Sequence, residues 1–236
     1  MGGGKRKDEQ AAPRRRRWEA KKKPTASNRP FFLAIGAAVV VGAVLLLLFG
    51  SGKGDDGATG GAPADGTPSL LGSKEPPAAG DGSYVVSVSS LPDWARVSED
   101  AASHERFHRI RHRDGSVELD YEYDGSLRDG ILMSCTITRC TSPEEAVAAV
   151  ASDFAGYRIG FAGSDVVINR DDEAVRGGDG SRYAVLVDGE GPLGHLFACH
   201  RGNSAFSFMC SGIIFEDADL AALLEPYLAR FHEWAP

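Results

Sequence analysis

Phe107 to Asp124 reads FHRIRHRDGSVELDYEYD, and the reading of its centre, Asp114-Gly115, decides the fold. Asp-Gly between two alternating runs is the strongest short-range signal for a β-hairpin. If these two residues form the turn, Arg113 faces Ser116, Arg111 faces Glu118 and Arg109 faces Asp120 on one side. Ile110 then faces Leu119 on the other, flanked by Val117, Tyr121 and Tyr123. Charges pair with charges and apolar residues with apolar residues under a single register, as cross-strand packing requires. The alternating acids Glu118, Asp120, Glu122 and Asp124 read as the solvated face of the second strand.

Working outward from the hairpin, Ile131 to Thr138 predicts a third strand with Ile131, Met133, Cys135 and Ile137 on one face. Ser142-Pro143-Glu144-Glu145 carries a capping box with proline at the first helical position. The helix it opens runs to about Tyr157 and is expected to bury Val147, Val150 and Phe154. Val166 to Ile168 is extended, and residues 170–180 form a charged loop without the ligand spacing of a calcium site. Arg182 to Val187, Gly194 to His200 and Ser204 to Ile214 read as strands, the last two joined at Gly202-Asn203. Asp217 to Trp234 closes the chain as an amphipathic helix. Upstream, Tyr84 to Ser89 is a strand candidate, and Leu91-Pro92-Asp93-Trp94 is a turn expected to bury its tryptophan. Strands, helix, strands, helix give an α+β class: an antiparallel sheet with two main helices packed on it.

The rest of the chain differs in kind. Residues 1–30 carry eleven Lys/Arg against three Asp/Glu, whereas the 236-residue chain as a whole has a net charge of −7. Phe31 to Phe49 is free of charged and polar side chains and is long enough, at ~1.5 Å per residue, to match a bilayer core of about 30 Å. Basic residues on its amino side predict a single span with the amino terminus cytoplasmic and everything after it outside the plasma membrane. Ala34, Ala38 and Gly42 recur on one face of that span, a spacing that would allow a helix–helix contact. Residues 50–82, with ten Gly and four Pro, read as a disordered tether. The expected domains are therefore a basic tail (1–30), a membrane helix (31–49), a linker (50–82) and an extracytoplasmic module (83–236).

Several local patterns occur in sequence along the module. A Leu-Pro-x-Trp start (Leu91 to Trp94) precedes the hairpin, the Ser142-Pro143-Glu144-Glu145-Ala146 helix, a G-x-x-Tyr strand (Gly180 to Tyr183) and a second hairpin. The closing helix carries Leu220, Leu223, Leu224, Tyr227, Leu228 and Phe231. Together these resemble the PsbP-like domains over about residues 84–234. That group includes an extrinsic photosystem subunit, a Ran-binding import factor and many bacterial extracytoplasmic proteins. The resemblance implies the α+β fold and a role in binding a partner protein or, in some members, a metal; it assigns no residue here.

Candidate chemistry is sparse. Cys135, Cys140, Cys199 and Cys210 all lie in the module and, in an oxidising compartment, are expected to form two disulfides, with the Cys135 region tied to the later hairpin. In that hairpin Cys199 faces Phe206 and Cys210 faces His195. His104, His108 and His112 recur every four residues, but on a strand His108 and His112 sit about 13 Å apart, too far to share an ion. No serine-nucleophile or zinc-protease motif is present. The expected role is a binding module with an envelope protein partner, no catalytic residues, no cofactor or metal and no nucleic acid. Two alternatives stand beside it: a ligand- or metal-binding sensor, and a hydrolase assembled from His195, His200 and Asp188.

Overall fold

The computed structural model describes residues 73–95, 97, 104–126 and 130–235. One antiparallel sheet dominates them, with strands β1 (Ser73–Glu75), β2 (Glu105–Arg111), β3 (Val117–Gly125), β4 (Ile131–Arg139), β5 (Val167–Arg170), β6 (Gly180–Asp188), β7 (Gly191–Arg201) and β8 (Ser204–Ser211). Their order across the sheet is β1-β2-β3-β4-β8-β7-β6-β5. Two α-helices accompany the sheet, α1 (Pro143–Gly160) and α2 (Asp217–Leu228).

The expected fold class needs correction on this finding. The described residues are mostly an eight-stranded sheet with only two α-helices, and no helix among them is long and apolar enough to cross a membrane. The expected span, residues 31–49, and its Ala34/Ala38/Gly42 face lie outside the described residues, as do the basic tail and most of the linker. The linker reading also ends too late. Ser73–Glu75 pairs with β2, and Asp81 is 4% exposed, so residues 73–82 belong to the folded unit.

Burial alternates along the strands because successive side chains point to opposite faces. One face presents Leu119, Tyr121, Met133, Cys135, Ile137, Phe197, Phe206 and Phe208. Leu220, Leu224 and Leu228 of α2 cover it, together with Phe231, Trp234 and the segment carrying Val85, Val86 and Val88. The other face presents Leu132, Ala184, Leu186, Leu196, Ala198, Ala205 and Met209 beneath Ala146, Val150 and Phe154 of α1. Every residue of β8 is buried because it lies mid-sheet with both faces covered. The β7–β8 hairpin turns at Gly202-Asn203 in the expected register, with Cys199 opposite Phe206 and His195 opposite Cys210.

Helix α1 begins as its sequence signals. Ser142 Oγ accepts from Glu145 N at 3.2 Å, and Pro143 occupies the first turn. The Glu145 carboxylate reaches back to Thr141 N (2.9 Å) and Thr141 Oγ1 (2.6 Å), one residue upstream of the usual capping-box partner. Val150 and Phe154 are buried as expected. Val147 is 48% exposed instead, because the buried stripe runs through Ala146, Val150 and Phe154 at four-residue spacing.

The first hairpin forms one residue out of the expected register. Arg111 pairs with Val117, Ile110 with Glu118, Arg109 with Leu119 and His108 with Asp120. The turn explains the shift. Asp114 Oδ1 accepts from both Ser116 N (2.8 Å) and Ser116 Oγ (2.7 Å), and Gly115 alone takes a positive φ of 92°. The loop is thus three residues long with its left-handed residue last, and His112 N bonds Ser116 O across it. A one-residue slip exchanges faces. It carries Arg109 to the core side beside Leu119, and Ile110 to the acidic side.

That displaced arginine closes the fold. Arg109 Nη2 donates to Asp81 Oδ1 at 3.0 Å, and Trp234 Nε1 donates to the same oxygen at 3.1 Å. Ala78 N occupies Oδ2 at 2.7 Å, and the Arg109 guanidinium lies 5.6 Å from the Trp234 ring centre. The start of the folded unit, β2 and the chain end meet at one carboxylate.

The segment expected as a strand at Tyr84 to Ser89 is instead irregular, ending in a 3-10 turn at Val88–Ser90. Side chains satisfy its backbone: Val86 N donates to Cys135 Sγ (3.3 Å) and Val88 N to Tyr121 Oη (2.9 Å). It is held over the sheet rather than added to it.

The four cysteines are free thiols, so the expected disulfides are corrected. Cys135 stands opposite Phe208 and Cys199 opposite Phe206, while Cys210 stands between Met133 and His195, so no two of these three face each other across a ladder. Cys140 belongs to the opposite core layer. Burial pushes the thiols of Cys135, Cys199 and Cys210 up to about 12 and that of Cys140 up to about 11. They remain protonated and pack as small apolar groups.

Candidate functional site

The polar residue that stands out in the core is His195, 2% exposed in the run Gly191 to Arg201 of β7. Its Nε2 accepts from Phe215 N at 2.9 Å, and its Nδ1 lies 2.9 Å from Tyr183 Oη. Tyr183 Oη donates to Asp217 Oδ1 at 3.0 Å. The backbone N–H fixes the tautomer. Nε2 must be bare to accept, so Nδ1 carries the proton and donates to Tyr183, which passes its own proton toward Asp217. Burial lowers the His195 pKa to about 4, against the opposing pull of the Asp217 charge. An imidazolium would also point a second N–H at the Phe215 amide. With both ring nitrogens engaged, His195 is a fastener and not a base open to a substrate.

What it fastens is the segment between β8 and α2. Ile213 and Phe215 are buried there, and Ile214 between them is 39% exposed. The Phe215 ring lies tilted against His195 with centroids 5.9 Å apart and meets Trp94 in a T-shaped contact at 5.2 Å. Trp94, expected to be buried, is 54% exposed. The 3-10 turn Asp93–Ala95 sets the indole in a T-shaped contact with Phe215 and leaves about half of the residue exposed. The outcome is an exposed indole resting on Phe215, whose backbone N–H is fastened by a hydrogen-bonded chain beneath it.

A second grouping lies on the α1 side. Asp120 faces Thr136 on β4, which faces Ser207 on β8, and Asp153 of α1 is set above this row with Ser207 as a hydrogen-bonding neighbour. Burial, reinforced by the Glu118 and Glu122 charges and opposed by Lys74, raises Asp120 to about 7. Burial and the Glu118 charge raise Asp153 to about 7. The acidic face of β3 is therefore only partly solvated, contrary to expectation, because α1 and β4 crowd it. A raised carboxyl contributes stability that is fully present below its ordinary value near 4 and is lost as pH rises through 7. Asp153→Asn is accordingly expected to resist urea better than the parent at pH 8 while matching it at pH 4. Equal gains at both values would contradict the assignment.

The other sequence candidates fall apart in space. His195 and His200 project from opposite faces of β7, and Asp188 caps the β6–β7 turn by accepting from Glu190 N and Gly191 N, so the three do not converge. His200 lines a shallow depression of about 150 Å³ with Val147, Val150, Gly180, Ser181 and Arg182. His112 pairs with Glu118 at 3.1 Å and His108 faces Asp120. In the 170–180 loop Asp172 accepts from Tyr183 N and Asp179 from Gly202 N. Among the described residues no three His, Cys, Asp or Glu side chains are placed to hold a metal ion. Tyr183, Asp217, Phe215 and Trp94 were not singled out by sequence as site residues; the available signal was a lone histidine inside an apolar strand.

Comparison with protein-family models, curated proteins and solved structures gave no match. Nothing beyond the residue patterns therefore identifies the fold as PsbP-like. The class that the fold and site define is a sheet-centred domain displaying one exposed, internally braced aromatic surface.

Proposed function

We propose that this chain is a protein-binding module whose contact surface is centred on Trp94, with Ile214 beside its support. The observation that carries this reading is the combination of exposure and support at Trp94: it is 54% exposed, yet its ring packs on Phe215, whose backbone N–H is fastened by the His195–Tyr183–Asp217 chain. Tryptophan in a preset orientation is the commonest kind of interface hot spot, since little ordering remains to oppose association. Fold stability asks less of Trp94, because about half of the residue is exposed.

Binding and folding should therefore separate on substitution. Trp94→Ala is expected to leave the thermal midpoint within about 2 °C of the parent. It is also expected to weaken binding to the partner by about 30-fold, the loss of a single hot spot. The partner is first identified by photocrosslinking from a photoreactive aromatic residue of indole-like bulk at position 94. An affinity unchanged by the substitution would remove Trp94 from the interface.

A further inference from the structure

Resting on that reading, we infer that the Trp94 surface selects a partner segment in which an apolar side chain is flanked by lysine or arginine. The ground for this is the charge around the aromatic support. Between Arg201 and Arg230 the chain contains no Lys or Arg at all, yet it carries Glu216, Asp217, Asp219 and Glu225. The first three follow Phe215 directly and are exposed, and none takes part in an ion pair among the described residues. Asp217 and Asp219 also complement the positive end of α2, which accounts for acids at those two positions. It does not account for a surface stretch without any cation to offset them.

Residues 73–236 as a whole carry 27 Asp/Glu against 14 Lys/Arg, so the net charge of this part of the chain is negative. An apolar anchor placed on Trp94, which packs on Phe215, would bring its neighbours toward Glu216, the next residue along the chain, and Asp219 beyond it. Cations there are attracted, whereas carboxylates are repelled and excluded. A second copy of this chain is a poor occupant for the same reason, since it would bring a like-charged surface. Because the acids are solvent-exposed, the preference should weaken as salt shortens the Debye length.

A defined peptide panel tests this on the full chain. Eight-residue synthetic peptides carry a central Phe or Ser and flanks of Lys or Glu, and the Trp94-dependent part of binding is read by fluorescence anisotropy against Trp94→Ala. The Lys-flanked Phe peptide is expected to bind at least tenfold more tightly than the Glu-flanked one. That preference should disappear in the Glu216→Gln/Asp219→Asn double variant and decline between 50 and 500 mM salt. Lys- and Glu-flanked Phe peptides binding equally, both through Trp94, would overturn the charge selection and leave the docking surface standing. If no peptide binds, or binding ignores Trp94→Ala, the docking surface itself fails and the selection with it. A full chain that dimerises, and whose dimer is lost on Trp94→Ala, would name a second copy as the occupant and overturn the inference.

Discussion

Replacing Asp81 by alanine is expected to destabilise the folded unit by about 3–5 kcal/mol, the cost of leaving a buried charge without its partner. For a domain of this size that corresponds to a fall in thermal midpoint of roughly 6–20 °C. The Asp81 and Arg109 side chains are 6% and 14% exposed, so neither charge is solvated once the other is removed. Arg109 Nε already lacks a partner, which leaves the guanidinium little to lose before its position becomes unfavourable. The Trp234 indole N–H and the Ala78 amide are stranded by the same change. Asp81→Leu combined with Arg109→Met should recover most of the loss, because replacing both partners of a buried pair with apolar groups is far milder than removing one. Urea denaturation of the two variants decides it. A single-variant cost below about 1 kcal/mol would mean that the carboxylate does not hold the chain end.

The second large effect concerns acid. His195 is neutral in the folded state because burial holds its pKa at about 4, against 6.5 in an unfolded chain. As pH falls through 6.5 the unfolded state takes up a proton that the folded state refuses, so stability declines until pH 4, below which both states are protonated. The accumulated loss is on the order of 3 kcal/mol. Asp120 and Asp153 act in the opposite sense over the range from 4 to 7, so the histidine is isolated by comparison and not by the parent curve alone. His195→Gln retains an acceptor for Phe215 N and a donor for Tyr183 but cannot titrate. Its urea midpoint is expected to fall less than the parent's between pH 7 and pH 4. Parallel pH profiles for the two proteins would show that His195 does not carry the acid sensitivity.

The places where the sequence was legible share a property: their determinants are local. The capped start of α1, the Gly202-Asn203 hairpin with its cross-strand partners and the stripe at Leu220, Leu224 and Leu228 all follow from residues within a few positions of one another. The first hairpin was legible in place and wrong in register. The choice between a two- and a three-residue loop rested on how the Asp114 side chain used Ser116, an effect smaller than the pairing patterns on either side. Asp81 was illegible for a different reason. It sits in a Gly- and Pro-rich run, and its partners Arg109 and Trp234 lie 28 and 153 residues away. The candidate site is of the same kind, since Trp94, Phe215, His195, Tyr183 and Asp217 are brought together only by the stacking of α2 and the upstream segment on one sheet face. The four cysteines were misjudged because all are accounted for as buried apolar groups, three alternating on core strands and Cys140 just past the end of β4, with no bridge required.

The measurement that bears most directly on a protein-binding role is photocrosslinking in the cells that make the protein, from a photoreactive aromatic residue of indole-like bulk placed at position 94 of the full chain, so that the aromatic contact is kept. Val167, 57% exposed on the outermost strand β5, supplies the control position. The account predicts one defined protein crosslinked from position 94 and not from position 167. The same partners from both positions, or none from position 94, would contradict it.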